Sequence, residues 1–151
     1  MMTASASLQP HLPVAHLLSQ GASGLGLLGS QCRQCDEVYF PATGNCTACC
    51  GSDLAPCDIG SQGRLWSWTV QAFMPKAPFN SGETESDFQP YGAGYVQMPS
   101  GVKVESRLTT ADPAALAIGM PMALCLVRYG QRADGRPLHT FAFAPVTEGG
   151  L

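Results

Sequence analysis

Charge is scarce in this chain. Of its 151 residues only 13% are Asp, Glu, Lys or Arg, and the formal net charge is −3. The eight Lys and Arg are scattered, so there is no basic stripe of the kind that tracks a phosphate backbone, and nucleic acid is disfavoured as a ligand. Histidine is scarcer still. His11 and His16 fall in the N-terminal segment and His139 in an expected final strand, where it reads as a structural residue, so no Ser-His-Asp set or other acid–base constellation can be assembled. Long apolar runs are missing too: none approaches the roughly 18 residues that cross a bilayer, and the N-terminus lacks the basic start and apolar stretch of a signal peptide. The expectation is a cytoplasmic protein without a membrane segment. At this length the chain fits one compact domain or two very small ones, which leaves no room for a large catalytic core. Apolar residues at 45% point to a packed protein rather than a disordered one, and the low charge suggests that a partner covers part of its surface.

Cysteine, by contrast, is plentiful and clustered. Seven are present, an odd number, and five crowd between Cys32 and Cys50, which in a reducing compartment points to metal rather than disulfides. Cys32-Arg33-Gln34-Cys35 and Cys46-Thr47-Ala48-Cys49 form two C-x-x-C knuckles separated by residues 36–45. Each knuckle presents two sulfurs from one tight turn, so Cys32, Cys35, Cys46 and Cys49 can converge tetrahedrally on a structural zinc, and the metal would stabilise a segment with almost no core of its own. Cys50 follows directly and heads a Cys-Gly pair, so it competes with Cys49 for the fourth position. Four thiolates leave no open site for hydrolytic chemistry. Iron takes the same ligand set, which keeps a rubredoxin-like electron carrier as an alternative. Cys57 and Cys125 lie outside the set, and Cys125, inside Ala123-Leu124-Cys125-Leu126-Val127, reads as a buried strand thiol.

The fold class expected is mainly β, with an N-terminal helical segment, a zinc ribbon and a five-stranded OB-fold barrel. Residues 1–27 read as a tail and a short helix over His11 to Gln20 that begins near Pro13, with Gly21 to Gly29 as a flexible connector. The ribbon is expected over 28–60, with a short strand at Val38-Tyr39-Phe40-Pro41. Residues 61–147 hold five β-rich runs: Arg64 to Met74, Tyr91 to Met98, Val102 to Leu108, Met122 to Tyr129 and Leu138 to Ala144. Pro99-Ser100-Gly101 reads as a hairpin turn, and Asp112 to Gly119 as one or two helical turns with Asp at the N-cap. A short helix between strands three and four of such a barrel is the arrangement of an OB-fold, which also admits a free-standing nucleic-acid-binding module as an alternative. The segment from Pro75 to Pro90 is long for so small a barrel, and its Phe79 and Phe88 mark it as a contact element. Strand alternation would put Trp66 and Trp68 on one face, and likewise Lys103 and Arg107.

Together, the two knuckles, Gly63-Arg64-Leu65-Trp66-Ser67-Trp68-Thr69-Val70, the run Tyr95 to Val104, and Ile118-Gly119-Met120-Pro121-Met122 resemble the zinc-ribbon/OB-fold proteins associated with acyl-CoA enzymes, long catalogued as a domain of unknown function. The likeness runs from about Leu28 to Pro145. It departs at the Gly-rich stretch before Cys32, where the family usually has a longer helix, and at the extra Cys50. What it implies is a non-catalytic accessory subunit in a hetero-oligomer with a thiolase or thiolase-like catalytic subunit, one that makes or breaks carbon–carbon bonds in CoA thioesters during breakdown of aromatic compounds or steroid side chains. The thiolase would supply the nucleophile, and the small subunit would complete the complex and help bind the CoA thioester. Phe79 and Phe88 are then candidates for the partner contact. Lys103 and Arg107 are candidates for the CoA phosphates, or simply a solvated basic strand face.

Overall fold

The computed structural model describes residues 12–21, 24–76 and 84–146. Two β-sheets built around one core account for almost all of its regular structure. The first is four-stranded: β1 (Leu18–Gly21), β2 (Gly24–Cys32), β3 (Val38–Tyr39) and β4 (Leu54–Gly60). β2 is central, with β1 and β3 along one edge and β4 along the other, all antiparallel.

This sheet corrects the N-terminal expectation. His11 lies outside the described residues, and beyond it the chain makes one 3-10 turn, Ala15–Leu17, that passes directly into β1. A helix of this length is marginal on its own, whereas the extended form lets Leu18 to Gly21 pair with Gly24 to Leu27 while Val14, Leu17 and Leu18 pack against the core. The Gly-rich stretch is likewise no connector, because Leu25 to Gly29 runs through the middle of β2 and Leu27 is fully buried. Glycine is required at position 29 by close approach of the neighbouring strand: a Cβ there would overlap the Tyr39 carbonyl oxygen and press on Ile59.

The second sheet is a closed barrel of β5 (Gln62–Gln71), β6 (Tyr91–Gln97), β7 (Lys103–Leu108), β8 (Pro121–Gln131) and β9 (Pro137–Pro145), in the order β5-β6-β7-β9-β8. All pairs are antiparallel except β7 with β9, and β5 closes on β8 through Gln62 to Arg64. These are the five runs read from the sequence, in OB-fold order. The Met98 to Val102 hairpin turns through Gly101 at a φ of 96°, with the Met98 N–H donating to the Val102 carbonyl at 2.8 Å. Pro113–Ala115 forms a single 3-10 turn whose N-cap Asp112 accepts the Ala114 N–H at 2.9 Å. Two motifs distant in sequence are stitched together here: the Leu65 N–H donates to the Met120 carbonyl at 2.9 Å, and the Gly119 N–H donates to the Leu65 carbonyl at 2.7 Å.

One expectation about the barrel surface fails for a definite reason. The register shifts between Leu65 and Ser67, so Trp66 occupies a β-bulge and the alternation reverses beyond it. Trp66 stands outside, 49% exposed, while Trp68 packs against the core. The core itself is continuous across the two sheets: Leu27 and Ile59 of the first belong to the same cluster as Leu65, Val96, Val104, Met122 and Phe143 of the barrel. Phe40 and Phe141 meet edge to face across the junction, with ring centroids 6.1 Å apart.

Candidate metal centre

The sulfurs of Cys32, Cys35, Cys46 and Cys49 all lie within 4.8 Å of one another. β2 ends on Cys32, and the turn after it delivers Cys35; the return of the chain after β3 delivers Cys46 and Cys49. Cross-knuckle pairs sit 3.6 Å (Cys32 to Cys49) and 3.5 Å (Cys35 to Cys46) apart. The edge of a tetrahedron with zinc–sulfur bonds of about 2.3 Å is roughly 3.8 Å, so the four thiols already have the size of a zinc site.

Both knuckles are closed by the same backbone device. Asp36 and Cys50, the residues just after Cys35 and Cys49, each adopt a φ of 65°. Cys50 is therefore the left-handed turn residue that ends the second knuckle, and it lies outside the sulfur cluster. Within the cluster, backbone N–H groups donate to sulfur: Gln34 to Cys32 and Cys49 to Cys46, both at 3.4 Å. Tyr39, which the sequence places only as a strand residue, brings its hydroxyl to 3.2 Å from the Cys46 sulfur.

The electrostatics call for a cation. The Tyr39 hydroxyl, and after it the Cys49 N–H, hold the Cys46 thiol down at about 6. Cys35 behaves oppositely: the Glu37 N–H is its largest single influence and lowers it, but Cys46, burial and the other sulfurs outweigh that and push the thiol up to about 12. At Cys49 the Gly51 N–H lowers the thiol, yet Cys32 and burial leave it raised. Four sulfurs this close cannot all ionise against one another without a positive charge among them, and a divalent ion that prefers sulfur supplies it. The residues present thus fit a structural zinc, bound by all four thiolates.

The other sequence candidates are dispersed. Cys57 lies in β4 and Cys125 in β8, where burial pushes the Cys125 thiol up and keeps it protonated. Phe79 lies outside the described residues. Phe88 packs edge to face on Tyr91 at 6.2 Å, and the Arg107 guanidinium lies over the same Tyr91 ring at 3.8 Å. Lys103 reaches over the Trp66 ring at 4.4 Å, and Trp66 meets Tyr95 edge to face. Lys103 and Arg107 do share one face of β7, and each is held against an aromatic ring by a cation–π contact. Among the described residues, no helix is long and apolar enough to cross a membrane.

Comparison with known proteins agrees with this architecture part by part. Residues 25–55 match the model of the ChsH2 rubredoxin-like zinc ribbon domain, and residues 58–127 match that of the ChsH2 C-terminal OB-fold domain. A DUF35 domain-containing scaffold protein of Methanothermobacter thermautotrophicus is 27% identical over 150 residues, covering 97% of this chain and 100% of that one. Another scaffold protein of the same description, from Methanocaldococcus jannaschii, is 22% identical over 125 residues and covers 80% and 82%. Among solved structures, a chain of the Ltp2-ChsH2(DUF35) aldolase superposes with a TM-score of 0.58 at 23% identity, covering 81% of this chain and 86% of that one, a likeness of fold. With a four-cysteine ribbon leading into a closed five-stranded barrel, and both parts matched in order, the chain belongs to the ChsH2/DUF35 family.

Proposed function

We propose that this protein is a non-catalytic, zinc-stabilised scaffold subunit that assembles with a thiolase-like aldolase acting on a CoA thioester. The observation that carries the reading is the ordered match of ribbon and barrel to the two domains of ChsH2. Two further facts support it: related chains are described as scaffold proteins, and the similar solved chain comes from an aldolase complex. The chemistry of the chain agrees. A zinc held by four thiolates has no free position for substrate or water, and burial raises the Cys125 thiol, which disfavours the thiolate that a nucleophile needs. Breakdown of an aromatic compound or steroid side chain is the metabolic setting we infer from the family resemblance. The Trp66, Tyr95 and Lys103 patch and the neighbouring Phe88, Tyr91 and Arg107 cluster are the surfaces we assign to the partner and the CoA phosphates. Tagged full-length protein recovered from its own host should bring down a thiolase-like polypeptide identifiable by mass spectrometry. Carbon–carbon cleavage of a 3-hydroxyacyl or 3-oxoacyl thioester should need both chains. Turnover by this chain alone, or recovery with no such polypeptide, overturns the reading.

A further inference from the structure

The Tyr39 hydroxyl is surrounded by more hydrogen-bonding groups than one phenol can serve at random. It accepts the Thr47 N–H at 2.9 Å and the Ala48 N–H at 3.3 Å, and it also lies 3.1 Å from Thr47 Oγ1 and 3.2 Å from Cys46 Sγ. A phenolic oxygen has two lone pairs and one proton. The two backbone N–H groups take both lone pairs, so the proton must go to Thr47 Oγ1 or Cys46 Sγ. A thiolate bound to a metal is anionic, and a charge-assisted bond outcompetes one to a neutral hydroxyl. Tyr39 leaves β3 directly after the first knuckle, while Cys46, Thr47 and Ala48 form the second, so this one side chain ties the two halves of the centre together.

We propose that Tyr39 is a positioning residue of the metal centre: its hydroxyl donates to the Cys46 thiolate while accepting the Thr47 and Ala48 amides, fixing the second knuckle for the ion. The inference rests on the four-cysteine zinc reading but not on any partner or CoA substrate. Outer partners of this type commonly contribute about 10- to 100-fold in metal affinity.

The test uses the full chain loaded with zinc. Tyr39→Phe keeps the ring and removes only the hydroxyl. It should still bind one zinc per chain but release it to excess chelator about 10-fold faster or more, and its cobalt-substituted form should show a shifted sulfur-to-metal charge-transfer band. Thr47→Val, which removes the competing hydroxyl and leaves Tyr39 in place, should release zinc at the parent rate with an unshifted band. A merely structural role would change unfolding without moving the cobalt spectrum. Unchanged release and spectrum in Tyr39→Phe would overturn the proposal, as would a Thr47→Val variant that reproduces the loss. If Tyr39→Phe does not fold, the cadmium-113-substituted parent protein decides the matter: a slowly exchanging tyrosine hydroxyl proton coupled to cadmium supports the bond, and absence of that coupling refutes it.

Discussion

At Cys50 the backbone enters the left-handed region with a φ of 65°, and Asp36 does the same at the end of the first knuckle. That conformation turns the chain away from the centre and leaves the Cys50 side chain outside the sulfur cluster. Cys50→Gly should therefore retain one zinc per chain and leave stability unchanged or slightly higher, since glycine adopts a positive φ without steric cost. Cys49→Ser should lose zinc, because three thiolates leave the tetrahedron incomplete. Metal analysis of the two purified variants checks this, and zinc loss in Cys50→Gly alone would move the fourth ligand. At Gly29 the argument is one of space. A methyl group would overlap the Tyr39 carbonyl oxygen, backbone that cannot swing aside, so Gly29→Ala should lower stability by about 1–3 kcal/mol in chemical denaturation.

A single extra residue in β5 decides what the two tryptophans do. The bulge at Trp66 sends that indole outward toward Tyr95 and Lys103, and it sends Trp68 inward opposite Gly94. Gly94 has to be a glycine here, because a Cβ would overlap the Ser67 carbonyl oxygen and crowd the Trp68 backbone. Trp68→Ala should cost about 2–4 kcal/mol through the cavity it leaves, whereas Trp66→Ala should cost about 1 kcal/mol, the exposed contacts with Lys103 and Tyr95. Urea titrations of both variants separate them, and equal losses would mean that the bulge is absent. The outer face of β7 makes a functional prediction. Neutralising Lys103 and Arg107 together should leave the fold intact, because both are surface residues stacked on rings. If the proposed function holds, it should raise the apparent KM of the proposed complex for a CoA thioester without dissociating that complex. An unchanged KM would leave the two cations as ordinary surface charge.

For the whole molecule, the ribbon and the barrel share one core, bridged by Leu27, Ile59 and the Phe40–Phe141 pair. Zinc should consequently stabilise more than its own knuckles. Removal of the ion with a strong chelator should lower the thermal midpoint of the entire chain in one transition, since a metal that binds only the folded state adds its binding free energy to folding. Acidification should act in the same direction, because protons compete with the ion for the thiolates, and zinc release should rise as pH falls. Circular dichroism at a barrel-sensitive wavelength, followed with metal release, checks both. A barrel that melts unchanged after chelation would show that the two units are energetically separate. On the proposed function, Phe79→Ala with Phe88→Ala should weaken assembly with the proposed thiolase-like partner; interface aromatics commonly cost about 2 kcal/mol or more on truncation. Isothermal titration against the purified partner measures that loss.

The sequence by itself determined the ligand types, the two knuckles and the five barrel strands, because each rests on local chemistry: paired cysteines at tight-turn spacing, alternating apolar runs, Asp112 before Pro113 and Gly101 in a hairpin. It also carried the family resemblance, since the Leu65 and Ile118 to Met120 motifs are held together by backbone bonds that those residues make. Only the tertiary structure decided the rest. Leu18 to Gly29 reads as helix and connector when taken alone, and becomes two paired strands because β4 and the barrel core offer partners for its backbone and its leucines. The choice of Cys49 over Cys50 needed a backbone dihedral, the parting of Trp66 from Trp68 needed a register shift, and the role of Tyr39 needed a contact between the strand and the second knuckle. Each of these depends on where a second segment lies, and residue spacing along one segment carries no record of that.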